Sequence, residues 1–145
     1  MRTLIALAAV DDNTPKIKKR DTYEQLTYNY LYQDPPAGFG KVIDLAKRYI
    51  AEEPDNPSPK VWTNLAFAYG QQYTWERGHE QKVDVMKAAR KGALDAIRQA
   101  LHLEPRMISL LRLVWDPNDP TKVSSEENDL EAFFEDEEFK QQLAT

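Results

Sequence analysis

Few residues in this chain of 145 stand at spacings that serve catalysis or metal binding. His79 and Glu80 open the H-E-x-x-H pattern of a zinc hydrolase, but the fifth position is Val83, so the second imidazole is missing. His102 is the other histidine; on one long helix it would stand about 34 Å from His79, too far to share an ion. Asp116, Asn118 and Glu127 match positions 1, 3 and 12 of a calcium loop, yet Pro120 and Thr121 replace a ligand and the glycine that makes the sharp turn. Gly38, Gly40 and Lys41 resemble a phosphate loop with Pro35 in place of its first glycine and Val42 in place of its magnesium ligand, and are read as a turn into a helix. There is no cysteine, hence no thiol nucleophile, thiolate site or disulfide. Glu135–Glu138 form a solvated acidic run rather than two carboxyls in contrasting settings. No catalytic residue, metal or cofactor is expected, and the chain is read as a non-enzyme.

The elements that would position any site are helical. Asp21 and Glu24 have capping-box spacing and are expected to open a helix with Tyr23, Leu26 and Tyr30 inward, ended by Pro35 and Pro36. A second helix from Phe39 carries Val42, Ile43, Ala46, Tyr49 and Ile50, stopped by Pro54 and Pro57. Ser58 as N-cap and Pro59 in the first turn open a third, with Trp62, Leu65, Ala66 and Tyr69 on one face. From Val83 the apolar positions Met86, Ala93, Ile97 and Leu101 define a fourth, and Gly78 is expected at the turn between them. After Pro105, Ile108, Leu111, Val114 and Trp115 make a fifth face. Ser124 and Glu127 repeat the capping-box spacing ahead of Leu130, Phe133, Phe134, Phe139 and Leu143. Strand and hairpin signals are nearly absent.

Two of these stretches carry a signature. Trp62, Leu65, Ala66 and Tyr69 stand at W-x-x-L-A-x-x-Y, and Ala93, Ile97, Ala100 and Pro105 at A-x-x-x-I-x-x-A-x-x-x-x-P, which resembles the tetratricopeptide repeat family. The resemblance implies an all-α fold of antiparallel helical hairpins stacked as a short solenoid with a C-terminal cap. On that reading one domain spans 1–145, with an N-terminal extension at 1–20, a degenerate hairpin at 21–57, a main hairpin at 58–105 with an insertion near 70–84, and capping helices at 106–145. The segment departs from the repeat, since Ala93 lies about 15 residues later than a standard unit would place it. A taller hairpin absorbs the excess and puts Tyr73 and Trp75 near its tip.

The resemblance also implies a function: a protein-interaction module, adaptor or scaffold, holding a peptide or protein in a concave groove. The outward positions of the first helix, Lys60, Thr63, Asn64 and Phe67, would line that groove, with Ser109 and Arg112 added from the following one. Lys60 and Asn64, one turn apart, would hold a peptide carboxylate or backbone amide together. The alternative is a self-associating or regulatory domain whose tip, at Tyr73 and Trp75, packs on a second copy or a catalytic partner.

Charge narrows the partners. Residues 1–20 sum to +3 and residues 116–145 to −8, within a net −5. The cluster around Lys18 is too small for the basic stripe that nucleic acid requires, and the acidic end repels phosphate. No stretch approaches the roughly 20 apolar residues of a membrane helix. Leu4–Val10 runs into Asp11 and Asp12, is shorter than a secretory signal, and is read as a short helix or a domain-boundary remnant. The lack of cysteine favours a cytoplasmic setting.

Overall fold

The computed structural model describes residues 15–144, and the apolar stretch Leu4–Val10 lies outside them. The described residues form six α-helices and no strand, an all-α chain. None of those helices is long and apolar enough to cross a membrane.

Helix α1 (Lys16–Tyr30) begins five residues before the expected start, and its N-cap position is Pro15, which offers no side-chain cap. Tertiary contacts hold this first turn instead. Lys16 pairs with Asp55 at 3.1 Å, Lys19 with Glu52 and Glu53 at 3.2 and 3.1 Å, and Asn56 donates to the Lys16 carbonyl at 3.2 Å. Residues 16–20 are therefore part of the first hairpin, and the Asp21 capping box is not formed. Glu24 accepts instead from the Ser58 hydroxyl at 2.5 Å, which joins α1 to the third helix. Helix α2 (Ala37–Glu52) buries Phe39, Val42, Ile43, Ala46 and Tyr49 on one stripe. The Tyr49 hydroxyl donates to the Asn56 carbonyl at 2.7 Å and fastens the proline-bounded turn that follows.

Helices α3 (Pro59–Gly78) and α4 (Val83–Leu103) form the tall central hairpin, about 30 Å long at 1.5 Å per residue. Ser58 caps α3 as its sequence predicts, accepting from the Val61 amide at 3.1 Å. Ala66 and Ala68 on α3 and Ala89, Ala93, Ala96 and Ala100 on α4 are fully buried, so small side chains let the two backbones approach. Gly92 lies under the Tyr69 ring, where a Cβ would come within 2.6 Å of a ring carbon. The excess length is helix on both arms. The residue that takes the left-handed turn at the tip is Gln81 (φ 56°), while Gly78 is still helical. Glu76 secures that turn: its carbonyl accepts from the Gln81 amide at 2.8 Å and its carboxylate from the Lys82 amide at 2.9 Å.

A 3-10 turn at Pro105–Met107 leads into α5 (Ile108–Trp115), whose Leu111, Val114 and Trp115 are buried. No helix begins at Ser124. Its hydroxyl accepts from the Glu126 amide at 3.1 Å in a local turn, and the chain continues as a strap to a 3-10 turn at Glu131–Phe133 and then α6 (Glu137–Leu143). Asp136 caps α6, accepting from the Glu138 and Phe139 amides at 3.0 and 3.4 Å. The strap and α6 close the end of the core with Leu130, Phe133, Phe139 and Leu143, the Phe133 and Phe139 rings stacked at 4.4 Å. Leu130 donates its amide to the Val114 carbonyl at 3.1 Å, and the Trp115 indole donates to the Phe133 carbonyl at 2.9 Å.

Candidate functional site

The contacts between Asn64 and Thr27 and between Gln71 and Leu31 set α1 parallel to α3. With α5 on the other side, these helices bound a groove of about 1820 Å³ whose floor is α3 and whose tip end is bordered by the strap. Along α3 it runs from Lys60 to Arg77, about 26 Å at the helical rise. That length accommodates about eight residues of extended chain or some four turns of helix.

Its apolar surface comes from Leu31, Phe67, Met107, Leu110, Leu113 and Val114. Three large apolar side chains that the fold leaves open, Tyr28 (49% exposed), Tyr32 (75%) and Leu110 (40%), all stand on this groove. Tyr28 and Tyr32 sit one turn apart near the end of α1, ring centroids 5.2 Å apart in an edge-to-face arrangement, with their hydroxyls at 3.2 Å. That hydrogen bond and partial burial push the Tyr32 phenol up to about 12, with the negative charges of Asp129 and Glu127 adding to the shift.

The groove is acidic, with seven carboxylates on its walls against Lys60 and Arg77. Asp21 and Glu24 stand 3.9 Å from Arg20, and Glu131 pairs with Lys122 at 2.9 Å. Asp34, Glu126, Glu127 and Asp129 have no ion-pair partner among the described residues. Asp129, like Glu127, is partly buried, whereas Asp34 and Glu126 are exposed. The Asp129 carboxylate accepts from Gln71 at 3.0 Å, and the same amide reaches the Leu31 carbonyl at 3.1 Å. Burial pushes the Asp129 carboxyl up, against the opposing pull of the Gln71 hydrogen bond.

The residues that the sequence proposed for the groove divide sharply. Lys60 is exposed on its wall. Thr63 and Asn64 are buried to 1% and 7%, because α1 packs against that face of α3. Asn64 spends its amide inside, donating to the Thr27 hydroxyl at 2.9 Å, so it does not form a clamp with Lys60. Phe67, at 6%, is floor rather than an outward contact. Ser109 is exposed but is not among the groove-lining residues, and Arg112 donates to the Leu143 carbonyl, tying α5 to the end of α6. At the tip, Tyr73 packs on Phe133 with centroids at 4.8 Å and Trp75 stacks on His79 at 3.5 Å. Both aromatics are thus partly covered by the chain itself, and Trp75 also borders the far end of the groove.

The discarded chemical motifs have structural roles. His79 ends α3, and His102 lies in the last turn of α4, so the two stand at opposite ends of the hairpin rather than on one helix. Asp116 and Asp119 each accept from a backbone amide two residues on, at 2.8 Å, which holds the loop after α5. No group of three metal-ligating side chains is assembled among the described residues. The residues that sequence reasoning missed are Tyr28, Tyr32, Leu110 and Asp129. Tyr28, on the face of α1 away from Tyr23 and Tyr30, and Tyr32, four residues on in the turn that ends the helix, were the available signal.

No family model matches the sequence, and no curated protein and no solved structure matches it.

Proposed function

We propose that this chain is a non-enzymatic protein-interaction module of tetratricopeptide-like architecture. It holds a segment of a partner protein in the groove between α1, α3 and α5. The alternation of helices supports the architecture: α1, α3 and α5 act as the groove-lining members of successive hairpins, and α2 and α4 as their outer partners. One observation carries the function. Tyr28, Tyr32 and Leu110, apolar side chains that a closed core would cover, gather on one groove of a size to take a peptide.

The test is selection of binders from an unbiased displayed-peptide library, followed by titration against Tyr32→Ala and Leu110→Asp. Both positions are exposed, so circular dichroism is expected to be unchanged while affinity falls at least about tenfold. Selected peptides that bind both variants as they bind wild type would overturn the assignment.

A further inference from the structure

We infer that the segment this groove receives is cationic, and that a lysine or arginine side chain of it inserts between the Tyr28–Tyr32 pair and the carboxylates of Asp129 and Glu127.

The inference rests on the groove being the binding site and adds the chemistry of its occupant. Three features agree. First, the walls carry seven carboxylates and two cations, and Asp34, Glu126, Glu127 and Asp129 lack an ion-pair partner among the described residues. Second, Asp129 is partly buried with one neutral amide as its side-chain partner, an arrangement that costs free energy unless a cation joins it. Third, two exposed aromatic rings line the same groove, and the Gln71 amide that Asp129 accepts from also reaches the carbonyl of Leu31, next in the chain to Tyr32; a cation over a tyrosine face is attracted by the ring quadrupole as well as by the acid. The charge of the groove also opposes the carboxylate-holding role that Lys60 and Asn64 suggested. An acidic peptide end would meet one lysine and several anions.

Fluorescein-labelled peptides of about eight residues, matching the groove length, give a direct probe. In three series leucine alternates with lysine, serine or glutamate, and anisotropy is read at about 50 mM and about 300 mM salt. The lysine peptide is expected to bind wild type at least about tenfold tighter than the serine peptide, with the advantage shrinking at the higher salt. Asp129→Asn should remove most of that advantage. Glu137→Gln, an equal charge change on the exposed outer side of α6, should leave it intact.

Asp129→Asn keeps the hydrogen bond to Gln71 and is a sound fold control. Because the folded-state carboxyl is raised above its ordinary 3.8, losing its proton at neutral pH costs the folded state stability, so the variant should melt no lower than wild type at pH 7. Tyr32→Ala, fully folded, should lose part of the lysine advantage as a second readout. If Glu137→Gln weakens the lysine peptide as much as Asp129→Asn, only net charge is at work and the inference fails. If lysine and serine peptides bind alike and both are lost in Leu110→Asp, the groove reading stands and the cationic inference fails. If no peptide responds to Leu110→Asp, the groove reading itself falls.

Discussion

Lys60 and Asn64 are one helical turn apart on α3 and have opposite fates. The lysine keeps its charge in solvent on the groove wall, whereas the asparagine is the polar bolt between α3 and α1. Its amide donates to a Thr27 hydroxyl that in turn donates to the Tyr23 carbonyl at 2.7 Å, all of it buried. Removing one member of such a chain costs a hydrogen bond and leaves unfilled space. Asn64→Ala is therefore expected to lower unfolding free energy by about 1–2 kcal/mol in urea titration, and Lys60→Ala to stay within about 0.5 kcal/mol of wild type. Equal effects would contradict the burial of Asn64. The sequence pattern places both residues off the α3–α4 packing stripe. It gave no sign that a second helix covers one of them, because that depends on where α1 docks.

At the scale of elements, the decisive contact is between α3 and the strap. The Gly70 backbone is so near the Asp129 carbonyl that a Cβ there would sit 2.0 Å from the oxygen, so the strap backbone would have to shift. The same approach places the Asp129 side chain at the groove beside Gln71. Gly70→Ala is expected to push the strap outward, at a cost of about 1–3 kcal/mol, with faster proteolysis around residues 116–136. A stability equal to wild type would mean the strap is not seated there. Helix propensity alone predicts the opposite sign, since alanine is favoured over glycine in a helix interior. The helices themselves were legible from capping residues, prolines and apolar spacing. The starts at Asp21 and Ser124 were not: the first turn of α1 is held by Asp55, Glu52 and Glu53 from a distant turn, and Ser124 satisfies a local turn instead of a helix.

For the whole molecule, the acidic C-terminal region is tethered as well as solvated. Arg90 on α4 makes a two-pronged contact with Asp136 at 2.6 and 3.0 Å and reaches Glu138 at 2.9 Å, which fixes α6 and its cap onto the central hairpin. The guanidinium holds the Asp136 carboxyl below its ordinary 3.8. A carboxylate whose folded value is lowered contributes stability that is present above about pH 3.8 and lost as pH falls through the lowered value. Arg90→Met, which keeps the aliphatic stem, should cost about 1 kcal/mol at pH 7, given partial exposure, and the gap to wild type should narrow as the pH falls below 3.8. A gap independent of pH would assign the loss to packing. Caps, prolines and periodic burial are local properties of the chain, so the helices and the small-residue seam of the central hairpin could be read from the residues alone. Which surface stays open, and what charge it bears, depended on long-range packing. That followed from the docking of α1 on α3 and the return of residues 116–136 across Gly70, which buried Asn64 and brought Tyr28, Tyr32, Leu110 and Asp129 to one groove from far-apart parts of the chain.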